Sequence, residues 1–318
     1  MVISLLAGLF AALILLISYI CYRMGFYAPP RVLPAGDVIE FPEGEVYEPF
    51  HEKMAHWVRQ TRLLPQEDVE IRSFDGLKLH GKYFELAPDA PMELMFHGYR
   101  GSAERDLPGG VQRCFACGRS ALIVDQRCSG RSEGKTITFG VNEHKDCLAW
   151  VDYAVKRFGP ERKIILTGIS MGAATVIMAA GKPLPENVIG VIADCGYSTQ
   201  KEIIMKVVKE MGLPPKLSYP FVKLGARIFG KFDLEETSPM KALETASIPI
   251  AFFHGESDGF VPCDMSRKLY DAYTGKKCIL TVPGADHGLS YAVMPKEYRS
   301  ALADFFGPEA SSLEAKQM

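Results

Sequence analysis

Ile164-Ile165-Leu166-Thr167-Gly168-Ile169-Ser170-Met171-Gly172-Ala173-Ala174-Thr175-Val176 is the stretch on which the fold turns. A short apolar run meets Gly-Ile-Ser-Met-Gly and passes into an alanine-rich segment, so a strand, a tight turn and a helix follow one another. Glycines flank the serine because such a turn brings strand and helix backbones close and holds the serine in a strained conformation. The pentapeptide alone could equally be a glycine-lined helix cap. The strand before it and the helix after it make it a nucleophile elbow with Ser170 at its tip.

Around the elbow the same alternation repeats. Short apolar runs at 93–97, 120–125, 163–168, 188–193, 249–253 and 277–282 are separated by helical patterns near 104–118, 141–158, 171–181, 262–273 and 289–306. Such βα alternation implies an α/β fold with a mostly parallel sheet flanked by helices. Upstream, residues 48–63 read as a helix. Val69–Phe74 and Leu77–Tyr83 alternate in hydrophobicity across Asp75-Gly76, which reads as a β-hairpin. The 54 residues between Asp194 and Pro249 are far too many for an ordinary connection, so a helical cap is expected over about 198–245.

A serine hydroxyl at its ordinary pKa needs an imidazole base, itself oriented by a carboxylate. The elbow within this alternation resembles the α/β-hydrolase superfamily over roughly residues 66–306, where the chain order is Ser, acid, His. The strand ending in His254-Gly255-Glu256-Ser257-Asp258-Gly259-Phe260-Val261-Pro262 is similar to the family's acid-bearing loop, which makes Asp258 the acid. Asp194, at the end of the preceding strand, is the alternative. Of the seven histidines, only His287 follows both Ser170 and Asp258, just past the run Leu280–Val282, and it is the expected general base. His97 and His254 sit in His-Gly strand ends and are expected to brace loops. Asp125 lies in a loop resembling the one after the family's fourth strand, with a structural role in turn bonding. A developing oxyanion needs two fixed N–H donors. Met171, directly after the nucleophile, should supply one, and matching to the family puts the other at Tyr99, in His97-Gly98-Tyr99-Arg100-Gly101. Serine at the elbow sets the chain apart from haloalkane dehalogenases and epoxide hydrolases, which carry Asp there, and from dienelactone hydrolases, which carry Cys. Within the superfamily the chain looks closest to the serine aminopeptidase S33-like and Bem46-like group.

The N-terminus is of another kind. Residues 1–22 contain no charge, and only Ser4, Gly8 and Ser18 among them are not apolar. About 20 apolar residues in a helix span a ~30 Å hydrocarbon layer, and a buried core helix of that length would show a polar stripe. A cleaved signal peptide would want a basic start and small residues before the cut, whereas the exit reads Ser18-Tyr19-Ile20-Cys21-Tyr22-Arg23. An uncleaved transmembrane anchor over 1–22 is therefore expected, then a linker and helix (23–65), the hydrolase domain (66–308) and a tail (309–318). Arg23 and Arg31 on the C-terminal flank place the domain in the cytoplasm by the positive-inside rule, and cysteines lying within strands and helices suit a reducing compartment.

The 318 residues carry 36 basic and 38 acidic side chains, a net charge of −2, which excludes the global basic footprint of a nucleic-acid binder. The mean hydropathy of +0.03 owes its positive sign to the N-terminal segment. Cys114 and Cys117 close a helix where a redox pair would open one, and with Cys128 they lack a fourth ligand. No metal and no cofactor is expected. Segment 199–232 holds seven basic residues against two acidic, with an apolar set Ile203, Ile204, Val207, Val208, Met211 and a second one Phe221, Leu224, Ile228. That cap either packs over the site with solvated lysines or rests on an anionic membrane. The expected function is a membrane-anchored serine hydrolase acting on small or lipid carboxylic esters or thioesters. A peptidase would want an acidic cluster for the substrate amine. A scaffold without turnover would be free to lose one of Ser170, Asp258 and His287.

Overall fold

The computed structural model describes residues 2–29 and 37–307, so Arg31 and the tail at 309–318 lie outside the described residues. An eight-stranded sheet forms the frame, in the order β1-β2-β4-β3-β5-β6-β7-β8. β1 (Glu67–Arg72) and β2 (Lys78–Phe84) form the hairpin, with Arg72 opposite Lys78 across the Asp75-Gly76 turn. β2 pairs antiparallel with β4 (Ser120–Val124). From β4 onward all pairings are parallel, through β3 (Met92–Phe96), β5 (Ile164–Ile169), β6 (Val188–Asp194), β7 (Ile250–Gly255) and β8 (Lys277–Val282). β3 and β4 are fully buried, which is why, apart from Glu93 and Ser120, they read as apolar runs without alternation.

Helices cover both faces. α1 spans Val2–Gly25, and α2 (His51–Leu63) follows a 3₁₀ turn at Glu45–Phe50. The helix expected near 104–118 is two helices, α3 (Ala103–Asp106) and α4 (Pro108–Ala116). Pro108 has no N–H to continue a ladder and is suited to a first turn, so it begins a new helix. α5 (Glu143–Phe158) turns Cys147, Trp150, Val151 and Ala154 to the sheet at helical spacing. α6 (Met171–Ala180) is buried at every position, between the sheet and its neighbours α5 and α9 (Pro239–Ala242). α10 (Cys263–Ala272) returns the chain to the sheet. The expected helix at 289–306 is likewise split, by Pro295, into α11 (Ser290–Val293) and α12 (Pro295–Phe306).

Between β6 and β7 lie α7 (Gln200–Glu210), α8 (Pro215–Gly225), a π-helical turn at Ala226–Gly230, and α9. Ile203, Ile204, Val208, Tyr219 and Val222 are buried in a common cluster with Met171, so this segment packs over the elbow. Met211 and Ile228, counted above with the inward stripes, are instead 50% and 43% exposed. Met211 lies beyond the last turn of α7, where the helical spacing no longer governs its direction.

The N-terminal region departs most from expectation. A free linker is expected after residue 22, yet α1 continues to Gly25, and Phe26 is 1% exposed. Phe26 packs edge-on against Phe139 and Phe232, while Ala28 N–H donates to Lys135 O at 3.0 Å. Helix α1 itself lies along α8. Residues 24–28 are thus part of the packed domain, because the aromatic Phe26 and Tyr27 bring apolar surface that the cap can cover.

Candidate active site

The loops after β3, β5, β7 and β8 meet at one end of the sheet, as expected for ligand sites in parallel α/β folds. Ser170 follows β5 with φ 57° and ψ −118°, in the region that L-residues avoid. The flanking glycines are what make that turn possible. A Cβ at Gly168 would lie 2.1 Å from Gly172 O, and one at Gly172 would lie 2.1 Å from Phe96 O. The Ser170 N–H donates to Asp194 O at 2.8 Å, tying the elbow to β6.

His287 and Asp258 converge on the serine. His287 Nε2 lies 2.9 Å from Ser170 Oγ, and His287 Nδ1 lies 2.7 Å from Asp258 Oδ2. An ionised carboxylate only accepts, so the ring proton sits on Nδ1 and Nε2 is left to accept from the serine hydroxyl. Ser170 is 6% and Asp258 7% exposed, and the His287 side chain is 14% exposed, so water has limited access to the relay.

Asp258 is held ionised and immobile. Its Oδ1 accepts from the N–H groups of Phe260 at 2.9 Å and Val261 at 2.7 Å. Its Oδ2 is also 3.1 Å from His254 Nε2, which lies 2.8 Å from Val261 O as well. Two acceptors facing Nε2 require it to carry the proton, which leaves His254 Nδ1 to accept from Ser266 at 2.6 Å. Burial pushes the Asp258 carboxyl up, but the hydrogen bonds from the two histidines outweigh it and hold the pKa at about 2. Asp194 faces elsewhere: its oxygens accept from Ser290 at 2.9 Å and Tyr298 at 3.1 Å. Burial raises its pKa. Asp286 braces the histidine loop by accepting from His287 N–H at 2.6 Å and Gly259 N–H at 3.1 Å.

Met171 opens α6, and a first-turn N–H has no partner within its own helix. The loop carrying Tyr99 stands beside it. A Cβ at Gly98 would lie 3.5 Å from Ser170 Cβ, and Arg100 adopts φ 53° to turn the loop. His97 fixes its base: Nε2 accepts from Gln126 N–H at 3.0 Å, so Nδ1 donates to Gly98 O at 2.7 Å. Burial lowers the His97 pKa and keeps that ring neutral. Asp125, expected in turn bonding, accepts from Ala103 N–H at 2.9 Å and Arg131 N–H at 3.0 Å.

A cavity of about 720 Å³ opens over Ser170 and His287. Much of one wall comes from the chain before the sheet, namely Tyr47, Met54 and Trp57, which sequence reasoning did not place at the site. Burial above all, then Cys195 and Asp258 nearby, pushes the Tyr47 phenol up and keeps it neutral. Phe260 stacks edge-on to His287 at 5.1 Å. The ligand atoms of Cys195, Asp258 and His287 all lie within 4.8 Å of one another. Burial drives the Cys195 thiol well above its ordinary range, and the other two groups are already bonded to each other, so the donor set suits a proton relay better than a metal.

Comparison with known proteins agrees with this architecture. Residues 94–219 match the alpha/beta hydrolase fold family. The uncharacterized protein YqkD of Bacillus subtilis is 26% identical over 62% of this chain and 65% of its own length, just under two thirds of that relative. The uncharacterized protein YfhR of Escherichia coli is 23% identical over 91% of this chain and 93% of its own. An esterase from Pyrococcus furiosus superposes with a TM-score of 0.65 at 22% identity, covering 88% of this chain and 97% of that one. On its sheet order, its strained elbow and these matches, the chain has the α/β-hydrolase fold.

Proposed function

We propose that the protein is a membrane-anchored serine hydrolase that cleaves carboxylic esters, thioesters included, through an acyl-serine intermediate. One observation carries the reading: the unbroken relay from Ser170 Oγ through His287 to Asp258, at 2.9 and 2.7 Å. Ser170 Oγ attacks the ester carbonyl as its proton passes to His287 Nε2, and Asp258 stabilises the imidazolium that forms. The carbonyl oxygen becomes an oxyanion facing the backbone N–H groups of Tyr99 and Met171. Each such donor is worth about 3–4 kcal/mol of transition-state stabilisation. Collapse breaks the bond to the alcohol or thiol, which leaves with the proton from His287. Water, deprotonated by the same imidazole, then releases the acid and restores Ser170.

Helix α1 supports the anchor. Its 24 residues are long and apolar enough to cross a bilayer, and its one charged side chain, Arg23, stands in the last turn, which suits a cytoplasmic hydrolase domain. The esterase among the structural neighbours is consistent with ester chemistry. Turnover of p-nitrophenyl esters of increasing acyl length, by the wild type and by Ser170→Ala, tests the reading. Hydrolysis that disappears in Ser170→Ala supports it, and hydrolysis that survives the substitution contradicts it.

A further inference from the structure

We propose that the turn joining α7 to α8 and the first residues of α8, together residues 211–217, form a second membrane contact. It enters the acyl-chain layer beside α1, in the leaflet nearest the hydrolase domain, and sets the mouth of the Ser170 cavity at the headgroup layer. This rests on reading α1 as a membrane span.

The register between α1 and the cap carries the argument. A Cβ on Gly225 would lie 2.3 Å from Ser18 O and 3.3 Å from Tyr22 N, so the two helices touch backbone to backbone there. Phe229 meets Tyr19 at 5.1 Å and Tyr22 at 6.1 Å, and Phe232 meets Phe26 at 5.3 Å. Contact therefore advances in the same direction along both chains, from Ser18 with Gly225 to Phe26 with Phe232. The start of α8 accordingly lies alongside the part of α1 that precedes Ser18. Ile14 and Ile17 are half-buried in keeping with this, whereas residues 2–13 are exposed throughout. Leu217 precedes Gly225 by about 12 Å of helix, whereas a hydrocarbon layer is ~30 Å thick and takes about 20 residues. If α1 spans the bilayer, that level lies inside it.

The turn has the chemistry for such a place. Met211, Leu213 and Leu217 are 50%, 48% and 66% exposed. Single exposed apolar residues are ordinary, but three within one short turn beside a membrane span are not. Much of the N–H side of this backbone is bonded within the chain, which lowers its cost in a medium without water. The N–H groups of Met211, Gly212 and Leu213 donate to Val207 O, Lys209 O and Val208 O at 3.0–3.1 Å. Those of Leu217 and Ser218 both donate to Pro214 O, at 3.2 and 3.0 Å. Pro214 and Pro215 have no N–H to satisfy. Lys209 and Lys216 have stems long enough to carry their charges outward to headgroups.

The cavity rim lies where the charged layer would be. Lys206 and Glu210, an ion pair at 2.7 Å, line it on the cap side. Arg100 lines it on the other and donates to Met24 O, at the end of α1, at 2.9 Å. An ester whose acyl chain stays in the leaflet would reach Ser170 through this rim without crossing bulk water.

The test uses the full chain in phosphatidylcholine vesicles carrying a trace of lipid with a photoactivated carbene precursor on its acyl chain. After irradiation, trypsin releases the anchor peptide ending at Arg23, and the peptides Glu210–Lys216 and Leu217–Lys223. Labelling of both turn peptides to the same order as the anchor is expected. Label on the anchor alone overturns the proposal while leaving the anchor intact, and label on none of the three overturns both. In Leu217→Asp, the ratio of turnover of a vesicle-borne long-chain ester to that of a soluble short-chain ester should fall about tenfold. An unchanged ratio contradicts a role for the turn at the mouth.

Discussion

At the scale of single residues, the candidate site is organised around a carboxylate that serves two histidines. Asp258 accepts from His287, which faces the serine, and from His254, which does not. Replacing Asp258 by Asn should leave the geometry nearly intact but favour the wrong imidazole tautomer, lowering kcat by about 10⁴-fold with little change in KM. Asp194→Asn should spare kcat, because its partners Ser290 and Tyr298 are structural, and steady-state kinetics on the two variants separates the acids. That Ser170, Asp258 and His287 come together was legible from the elbow motif, from the resemblance of the Asp258 loop to the family's acid-bearing loop, and from His287 being the one histidine after both, although Asp194 fitted the same order. Tyr47, Met54 and Trp57 were not. They precede the sheet by a stretch with no strand-end pattern, and only the folded path of the chain brings them over Ser170.

At the scale of elements, periodicity located all eight strands but not the breaks within helices, because amphipathic spacing continues across a proline that interrupts the hydrogen-bond ladder. Pro108 and Pro295 were the signals available. The largely apolar β3 also carries a charge at its second residue. Glu93 is fully buried, accepting from Arg113, from Arg119 at 2.7 Å and from Thr167 at 2.9 Å. These hold β3, β5 and α4 together beneath the site. Glu93→Gln strands two buried guanidinium groups and should cost about 3–5 kcal/mol, seen as a lowered midpoint in urea. At the elbow, Gly172→Ala should prevent productive folding, because its methyl would meet the Phe96 carbonyl rather than a movable side chain. Recovery of soluble, folded Gly172→Ala with unchanged activity would contradict this account of the turn.

At the scale of the whole molecule, the N-terminal helix is a packed element as well as a candidate anchor. Phe26, Tyr99 and Phe139 join its end to the loop beside Ser170, and the Tyr99 hydroxyl donates to Gly25 O at 2.8 Å. The sequence showed an uncharged segment but not its docking, since one helix's partner cannot be read from its own pattern. Stability should also depend on acid in a definite way. Burial raises the Glu93 carboxyl, yet Arg113 and Arg119 outweigh it and hold the pKa at about 2, and Asp258 likewise lies at about 2. Both are below the usual carboxylate values near 4, so their stabilisation is fully present above about pH 4 and is lost as pH falls toward about 2. Thermal midpoints should hold near neutrality and fall through that window, and in Glu93→Gln the acid-dependent fall should be smaller. The central claim is that Ser170 is the activated nucleophile, and a fluorophosphonate probe tests it most directly. Mass spectrometry of the labelled protein should place the adduct on Ser170, with none formed by Ser170→Ala or in the acid-unfolded chain. An adduct on another residue, or equal labelling of Ser170→Ala, would contradict it.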